Sequence, residues 1–469
     1  MTDQTPPSQP NVLPFKRAQD QAVHDEIKQA IDAINAEFFV IQVAGKTFIG
    51  SFEILPGTTH KTLVLRRDRD FLLWMDNHRT IICGPQGGNA KSVSLGKIWL
   101  QSPRRRQYAG VDLVPGGHEI LPNGFLNLWR GWGVQPQKGA WPLMRDHIFG
   151  VLANGDSKAD EYILKFTAWC LQNPDKIAEV ALVFRGDKGS GKGVFVDAIR
   201  RIFGEHGVYI ADQELITGRF KGHLRSCLFL FIDEAFWSGD KKGIGVLQAL
   251  ITQNVMHIEQ KGVDALPWTN RLHIVIVTDR DWAVPAGAGE RRYVVFEPSN
   301  YYSRTGAASD QERKEHFDAL YDELNNGGIE AMMWDLMHWD IGRWHPRQVY
   351  ETAALRKQQS LTMKPLEQWF DELLQEGTLA LLPMRSILKV PTNCAHWSSL
   401  ITDAERRVPR LKGKIGDSEL RAFLTAQGGK RWRNEHGRGW EFLSLGGHRV
   451  RWGRKYGSRE WENPNGDWS

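Results

Sequence analysis

The sequence predicts an α/β protein built around a parallel sheet that helices cover on both faces. Three observations in residues 179–300 predict this fold class: short apolar runs recur, helical or loop-forming stretches separate them, and a glycine-rich loop follows the first run. Strands that are buried on both faces are continuously apolar, and parallel strands need crossover connections. The runs are EVALVF (179–184), LFLFIDEA (228–235), LHIVIVT (272–278) and RRYVVFE (291–297).

The N-terminal part of the chain predicts a small α+β module over residues 19–138. Apolar residues recur with helical spacing from Val23 to Ile34, and strand-like runs follow. Residues 1–18 are polar and Pro-rich and lack the pattern of a secretion signal, so we expect a disordered tail there. The strand-like runs are FFVIQV (38–43), TFIGSFEI (47–54) and TLVL (62–65).

The rest of the chain divides into four segments by periodicity and charge. We expect a helical collar at 139–178, the parallel-sheet core at 179–305, a helical segment at 306–380 and a basic module at 381–469. The sequence shows no internal repeat, so repeat architectures are not expected.

Composition predicts a cytoplasmic protein without a membrane span. No apolar run approaches the roughly 18 residues that a spanning helix needs. The cysteines are far apart and form no CxxC pair, which argues for a reducing compartment and against a zinc site. They are Cys83, Cys170, Cys227 and Cys394.

The glycine-rich loop GDKGSGKG has the form of a phosphate-binding loop. Backbone N–H groups of such a loop, together with the N-terminus of the following helix, can surround a phosphate, and Lys192 supplies positive charge. Gly193 stands where Ser or Thr usually gives a hydroxyl ligand to Mg²⁺. The alternative is a strand-to-helix turn that happens to contain a lysine. The loop consists of Gly186, Asp187, Lys188, Gly189, Ser190, Gly191, Lys192 and Gly193.

Acidic and basic residues follow the other apolar runs. Asp233 and Glu234 end the second run, where Asp233 can hold Mg²⁺ through water and Glu234 can polarise an attacking water. Asp279 follows the third run, and Arg291 and Arg292 open the fourth. Solvated strand ends and a solvated arginine pair are the alternative interpretations.

With these motifs, residues 179–300 resemble the superfamily 3 helicases, which are ring-forming AAA+ motors of viruses and mobile elements. From about residue 95 onward the chain resembles the primase–helicase proteins of bacteriophages and prophages. The resemblance implies a P-loop AAA+ core that binds ATP and Mg²⁺, forms a hexamer and acts on single-stranded and forked DNA. The matching stretches are WLQSPRRRQYAGV, GFLNLWRGWGV, ALVFRGDKGSGKG, LFLFIDEA, IEQKGVDA, VTDRDWAVPAGAGERRY and DSELRAFL…RGWEF.

The resemblance also implies roles for single residues. The glycine-rich loop becomes the Walker A element, and Asp233 with Glu234 becomes Walker B. The arginine finger, which reaches the γ-phosphate of a neighbouring subunit, falls on Arg291 or Arg292, with Arg291 preferred.

Two further positions follow from the same resemblance. Lys261, in IEQKGVDALPWTN, matches a lysine on a hairpin that faces the central pore, although an ordinary surface hairpin is the alternative. Asp279 stands where the family usually has the sensor 1 Asn. Because an ionised Asp cannot donate a hydrogen bond, either Thr278 helps to hold the water or turnover is slow.

The C-terminal module predicts a DNA-binding winged helix. Residues 385–469 contain 17 Lys and Arg against 9 Asp and Glu, which favours a polyanion partner. A helix at 417–429 precedes two strand-like pieces that carry Arg431, Arg433 and Arg438 around Trp432 and Trp440. These arginines would contact the DNA backbone. A protein-docking module with a tryptophan core is the alternative.

The N-terminal module offers little for primer synthesis. Its nearest approach to a pair of metal-binding acids is Asp68 and Asp70 in RRDRD, a charge-dense stretch that is more typical of a solvated loop. We therefore expect no primer synthesis by this chain and a separate primase or polymerase as a candidate partner.

The sequence as a whole predicts an ATP-dependent DNA helicase that acts in phage or prophage replication. Two alternatives stay open: a nucleotide-controlled DNA-binding or scaffold protein without motor activity, and an ATPase of another mobile-element process, such as packaging or interference with a rival phage.

Overall fold

The central sheet of the computed structural model has five parallel strands. Four of them, Ala181–Arg185, Phe229–Asp233, His273–Thr278 and Tyr293–Phe296, coincide with the four apolar runs, and Gly207–Ile210 is added at one edge. Every pairing in this sheet is parallel. The predicted α/β class with a parallel sheet is therefore confirmed.

The structure describes residues 14–54, 56, 61–82, 91–234, 241–260, 262–287, 289–349, 351–379, 392–434, 437–456, 461 and 466–468. Its strands are β1 Phe38–Val43, β2 Lys46–Ile54, β3 Lys61–Arg66, β4 Arg79–Ile82, β5 Lys91–Ser94, β6 Gln107–Tyr108, β7 Gly110–Asp112, β8 Phe125–Asn127, β9 Ala181–Arg185, β10 Gly207–Ile210, β11 Phe229–Asp233, β12 Val255–Gln260, β13 Val263–Thr269, β14 His273–Thr278, β15 Tyr293–Phe296, β16 Cys394–His396, β17 Lys430–Asn434 and β18 Gly437–Glu441. Its α-helices are α1 Pro14–Glu37, α2 Asp68–Trp74, α3 Leu95–Gln101, α4 Pro142–His147, α5 Ser157–Gln172, α6 Lys192–Phe203, α7 Gln213–Thr217, α8 Lys241–Thr252, α9 Asp310–Glu323, α10 Ile329–His338, α11 Ala353–Thr362, α12 Pro365–Glu376, α13 Trp397–Arg407, α14 Asp417–Ala426 and α15 Leu445–Tyr456.

The order of the central strands is β10-β11-β14-β9-β15, so β14 lies between β9 and β11. All six residues of β14 are buried, which explains its unbroken apolar run. Helix α5 is buried on several sides and belongs to the same hydrophobic cluster as the sheet. No helix among the described residues is long and apolar enough to cross a bilayer.

The N-terminal segment forms a four-stranded sheet of order β3-β2-β1-β6. Helix α1, the two short helices α2 and α3 and one face of this sheet enclose a separate small hydrophobic cluster. Helix α1 begins at Pro14, inside the stretch that was expected to be a tail up to residue 18. Proline is favourable in the first turn of a helix, because the N–H that it lacks has no partner there anyway.

The C-terminal cluster begins earlier than the predicted boundary at residue 381. Helix α12, which the sequence analysis assigned to the preceding helical segment, packs into this cluster. Its Trp369 donates its indole N–H to Asp403 at 3.0 Å, and its Asp371 accepts from Trp452 at 2.7 Å. These buried bonds join α12 to the two helices α13 and α15.

Three buried histidines make the fold sensitive to acid. Burial lowers the pKa of each to about 4, whereas an unfolded chain has His pKa values near 6.5. The unfolded chain therefore binds more protons between about pH 6.5 and 4, so stability is complete above this window and falls as the pH falls through it. The residues are His147, His273 and His448.

We expect the free energy of unfolding to fall by roughly 3 kcal/mol per buried histidine across this window. Urea unfolding at a series of pH values measures the loss. The variant His273→Phe, whose ring fits beside Trp169 and Phe203, should flatten the dependence, and His24→Gln on the exposed face of α1 should not. An unchanged pH profile in His273→Phe would contradict the assignment.

Candidate active site

The carboxyl ends of three neighbouring strands form the floor of the candidate site. Strand β14 bonds to both flanking loops: the Gly186 amide donates to Thr278 O at 3.0 Å, and the Glu234 amide donates to Val277 O at 2.8 Å. The glycine-rich loop after β9 and the acidic pair after β11 are therefore attached to the same strand end. The strand order, which puts β14 between the other two, produces this arrangement.

The loop curls tightly because two of its glycines have left-handed backbone angles. Gly189 has φ 82° and Gly191 has φ 93°. A Cβ added to Gly191 would lie 2.4 Å from Cε1 of the buried His147, and the His147 Nε2–H donates to Gly191 O at 3.3 Å. Only glycine fits at this position, and His147 therefore packs closely against the N-terminal end of helix α6.

Lys192 is held inside the loop rather than in solvent. Its Nζ donates to the carbonyl oxygens of Gly186 and Asp187, at 2.6 Å each, and lies 3.3 Å from Ser190 Oγ. The residue is 6% exposed. Burial lowers the pKa of Lys192, and the nearby carboxylates of Asp279, Asp187 and Asp233 oppose the shift. The ammonium group is thus positioned by backbone carbonyls beside the acids of the site.

Asp233 is half-buried at the end of β11. Burial raises the pKa of its carboxyl, which a hydrogen bond from Tyr209 partly offsets. The Tyr209 hydroxyl donates to Asp233 Oδ2 at 3.0 Å from the edge strand β10. The sequence analysis missed Tyr209, because nothing in the local sequence relates it to a residue 24 positions away.

Glu234 has a strained backbone and a charged partner. Its φ is 56°, which is unusual for a residue with a side chain and is typical of functional positions. Lys188 Nζ lies 2.9 Å from Glu234 Oε1 and 3.5 Å from Asp279 Oδ2. The exposed Lys188 therefore bridges the carboxylates of Glu234 and Asp279 and partly offsets their charge.

These side chains line a cavity of about 470 Å³, which we call the cleft. Phe317 and Tyr321 of α9 form an aromatic wall of the cleft, and Phe317 lies against the loop, where its Cε1 would be 3.0 Å from a Cβ added to Gly191. The sequence analysis missed both residues, although their spacing of four residues on a helix is a recognisable signal. The volume lies in the range of small-molecule sites. The lining residues are Lys188, Gly189, Ser190, Gly191, Lys192, Gly193, Val194, Asp233, Glu234, Val277, Thr278, Asp279, Phe317 and Tyr321.

A loop after β15 packs over the glycine-rich loop. The Arg304 amide donates to Lys188 O at 3.3 Å, and Thr305 Oγ1 donates to Asp187 Oδ2 at 3.1 Å. A Cβ on Gly189 would lie 3.6 Å from Arg304 Cγ. The backbone and the Cγ of Arg304 thus lie beside the loop, and no sequence motif marked this residue.

The residues present fit a magnesium–triphosphate better than a metal ion alone. Among the described residues, no group of three or more His, Cys, Asp or Glu side chains could hold a metal. Mg²⁺ is usually bound through one or two carboxylates together with phosphate oxygens and water. Asp233 would supply the carboxylate, and Lys192 and the loop N–H groups would meet the phosphates.

Arg291 and Arg292 do not line the cleft. Arg292 is bound by Glu290, with Nη1 2.9 Å from Glu290 Oε2. Arg291 is exposed, and within the described part of the chain its guanidinium group forms no ion pair. Of the two arginines, Arg291 is therefore the one available to another molecule.

The predicted DNA contacts lie elsewhere. Lys261 lies outside the described residues, but strands β12 and β13 on either side of it form an antiparallel hairpin. Gly262 has φ 83°, as a tight turn requires. In the C-terminal module, the exposed arginines are brought together on the hairpin of β17 and β18, where Arg433 pairs directly opposite Arg438. They are Arg431, Arg433 and Arg438.

One tryptophan of the expected wing is unavailable for DNA. Trp440 is 2% exposed and packs in the C-terminal cluster with Trp397, because β18 is the central strand of its sheet. Trp432 contacts His396 edge-on. Asp68 and Asp70 are exposed in the first turn of α2.

Gly193 leaves room for the hydroxyl that the loop lacks. A Cβ there meets no heavy atom within 4 Å. We expect Gly193→Ser to raise the affinity for Mg²⁺–ATP several-fold and to stabilise α6 by about 0.5 kcal/mol through helix propensity. Titration with Mg²⁺ at fixed ATP measures the first effect. Gly245→Ser, at an equally open position in α8, should gain the stability alone; weaker ATP binding by Gly193→Ser would contradict the proposed metal position.

Sequence comparison relates part of this chain to a phage protein. A family model described as a family of unknown function, DUF5906, matches residues 184–292. The DNA Primase-polymerase of Nitratiruptor phage NrS-1 is 25% identical over 170 residues, which are 36% of this chain and 23% of that protein. The alignment therefore spans less than a quarter of the relative's length.

Structural comparison extends over most of the chain. The apo structure of the NrS-1 C-terminal region (305–718) matches with a TM-score of 0.58 at 15% identity, covering 88% of this chain and 97% of the other. Its A form matches with a TM-score of 0.57, also at 15% identity, over 88% and 98%. The chain thus has sequence similarity to a phage DNA primase-polymerase in one segment and shares its fold with the NrS-1 C-terminal region.

Proposed function

We propose that this chain is a DNA-stimulated ATPase that unwinds duplex DNA during phage or prophage replication. The observation that carries the proposal is the convergence in one cleft of a buried loop lysine, Lys192, with the strand-end acids Asp233 and Glu234. A polyphosphate needs the lysine and the loop amides, and its metal ion needs the carboxylate. The similarity to a phage DNA primase-polymerase supports a role in replication.

The strand order supports an AAA+ assignment. Strand β14, which ends in the polar residue Thr278, lies between the strand of the phosphate loop and the strand of the acidic pair. Thr278 and Asp279 therefore lie in the middle of the site. This arrangement is what the resemblance to superfamily 3 helicases implies. Lys188 Nζ lies 3.5 Å from Asp279 Oδ2 and so partly offsets the negative charge that Asp279 would place near the γ-phosphate.

Within the cleft each residue has a proposed task. Mg²⁺ would supply charge stabilisation to the transferred phosphoryl group. Asp233 is oriented by Tyr209 to hold the metal, Glu234 accepts a proton from the attacking water, and Phe317 with Tyr321 offers a surface for the nucleobase.

The position of Arg291 supports the proposal of a ring of subunits. The arginine is exposed and outside the cleft of its own chain, so it would complete the site of a neighbouring subunit. A hexamer with a central pore would carry the hairpin of β12 and β13 toward DNA. The exposed arginines of the C-terminal hairpin would bind the DNA backbone without reading its sequence.

Unwinding of a forked duplex, measured together with the mass of the particle in the presence of ATP and DNA, tests the proposal. We expect strand separation that requires ATP hydrolysis and a particle of several subunits. A monomer that hydrolyses ATP without separating strands would favour the nucleotide-controlled DNA-binding protein instead.

Lys261→Ala tests the pore hairpin separately. A pore lysine binds phosphates of the translocating strand, so the variant should retain its basal ATPase rate and lose most of the stimulation by single-stranded DNA. ATPase assays with and without DNA measure the ratio. Lys46→Ala is the control for indirect effects on the hairpin, because Lys46 on the N-terminal sheet forms an ion pair with the hairpin residue Asp264. Full stimulation in Lys261→Ala would remove this residue from the pore.

A further inference from the structure

A second cavity, of about 350 Å³, lies between the N-terminal sheet and the edge strand β10 of the central sheet. It shares no lining residue with the cleft. Positive side chains dominate its walls, and Glu205 is the acidic side chain among them. The lining residues that matter here are Phe52, Lys61, Arg130, Glu205, His223 and Arg225.

Arg225 is the unusual residue of this second cavity. It is 5% exposed, and within the described part of the chain its Nε has no hydrogen-bond partner and no acid forms an ion pair with it. Burial lowers its pKa to about 10. Its guanidinium lies 5.9 Å from the ring of Trp268, a weak contact for a buried charge. A buried charge without a partner costs several kcal/mol and is rarely kept without a reason.

Arg130 reinforces the positive character of the cavity. Its guanidinium lies over the ring of Phe52, 4.0 Å from the centroid, which fixes its plane. Its Nη2 is buried and, among the described residues, has no acceptor. His223, another lining residue, has a buried Nε2 without a partner among the described residues. Arg130 and Arg225 thus both line one small space, and neither forms an ion pair there among the described residues.

Glu205 does not neutralise these groups. Its Oε1 accepts the backbone N–H of Lys61 at 3.4 Å, and no ion pair joins Glu205 to Arg130 or Arg225 among the described residues. The remaining arginine of the wall, Arg200, is bound to Asp197 at 2.7 Å. Burial lowers the pKa of Arg130, and Glu119 and Glu205 oppose this shift through their charge alone, so an anion from outside the chain would compensate the two arginines more fully.

We propose that this second cavity binds a phosphate group, presented by a mononucleotide, through Arg130 and Arg225. A guanidinium group is a planar fork of donors that matches phosphate oxygens in pairs. The enclosed volume suits a small ligand better than a nucleic-acid strand, because a strand cannot readily reach the 5% exposed side chain of Arg225. The ring of Phe52 and the apolar Leu63 and Leu128 would cover the rest of the ligand.

The second cavity lies close to a residue of the cleft. Tyr209 of β10 lines it and donates its hydroxyl to Asp233. A ligand that shifts β10 would change the support of Asp233, so occupation of the second cavity would alter the metal affinity of the cleft. This consequence rests on the proposed function, whereas the binding site itself does not.

Equilibrium binding to the full chain tests the site, with Lys192→Ala present to disable the cleft. The probes are inorganic pyrophosphate, dATP and a short single strand of DNA. We expect Lys192→Ala to retain dATP and pyrophosphate binding, and Arg225→Met in this background to weaken both by about 10- to 100-fold. The control is Arg271→Met, a largely buried arginine with Asp112 nearby, which should bind both probes unchanged.

The same experiment shows whether the variants fold and whether a mononucleotide or a DNA strand presents the phosphate. Met at 225 removes a buried unpaired charge, so the melting temperature without ligand should stay equal or rise; Arg130→Met provides a second variant should Arg225→Met unfold. A loss of affinity for DNA alone would assign the phosphate to a strand instead of a mononucleotide. Unchanged binding of all three probes by both folded variants would overturn the site, whereas equal dATP stoichiometry in the parent and Lys192→Ala would count only against the cleft.

Discussion

Lys192→Ala is expected to weaken ATP binding by at least about 100-fold and to abolish hydrolysis. The ammonium group is 6% exposed and is held by the carbonyl oxygens of Gly186 and Asp187, so it is prepositioned and loses little freedom when it meets a phosphate. Hydrogen bonds between charged groups are the strong ones, and in a half-enclosed cleft water replaces the lost ammonium poorly. Fluorescent-nucleotide titration measures the affinity, and phosphate release measures the rate.

The ion pair between Lys165 and Glu161 on helix α5 provides the matched control. Lys165→Ala also removes one positive charge, from helix α5, where Lys165 Nζ lies 2.6 Å from Glu161 Oε1. Lys165 does not line the cleft. It should bind and hydrolyse ATP like the parent. ATP affinity of Lys192→Ala within a few-fold of the parent, in a protein with the parent's circular dichroism, would show that the glycine-rich loop is only a structural turn.

The apolar strands were predictable because burial on both faces requires an almost continuous apolar run in the sequence. A parallel strand between two helical layers has no solvent side, so His273–Thr278 and Ala181–Arg185 are almost continuously apolar. Their polar ends mark the carboxyl edge, where ligands collect in such sheets. The sequence could thus predict that Lys192, Asp233 and Asp279 lie near each other, without any knowledge of the strand order.

Side chains that reach the cleft from distant segments were not predictable. Tyr209 and Arg304 approach through tertiary packing, and each has an ordinary local sequence. The bridge from Lys188 to Glu234 and Asp279 needs three loops to meet in space. No periodicity or motif records such contacts, because they depend on how the elements pack.

The boundary of the C-terminal module was misplaced for a related reason. Helix α12 is amphipathic, and its apolar face predicts that it packs but not against which partner. The buried bonds from Trp369 to Asp403 and from Trp452 to Asp371 decide the partner. Trp440 illustrates the same limit, since a tryptophan beside arginines is equally compatible with a DNA contact and with a core position.

Glu234→Gln is expected to lower the rate of ATP hydrolysis by about 100-fold or more while leaving ATP affinity within a few-fold of the parent. Removal of a general base costs about 10²- to 10⁴-fold in rate, and Gln preserves the shape of the side chain and its capacity to accept a hydrogen bond from Lys188. Its backbone is left-handed, with φ 56°, and its amide donates to Val277 O; the substitution changes neither backbone feature directly. Single-turnover hydrolysis and nucleotide titration separate the two effects.

Two comparisons decide whether Glu234 acts on water or only on Lys188. If Glu234 serves only as the counter-ion of Lys188, then Lys188→Met should reduce hydrolysis as strongly as Glu234→Gln, and the double variant should be no worse than either single one. If Glu234 is the base, Glu234→Gln alone should trap ATP, and the trapped complex should still assemble with DNA. Glu161→Gln, the other half of the control ion pair on α5, should hydrolyse ATP like the parent. Hydrolysis at the parent rate in Glu234→Gln would remove the base from the mechanism and leave Asp279 as the remaining carboxylate at the water's position.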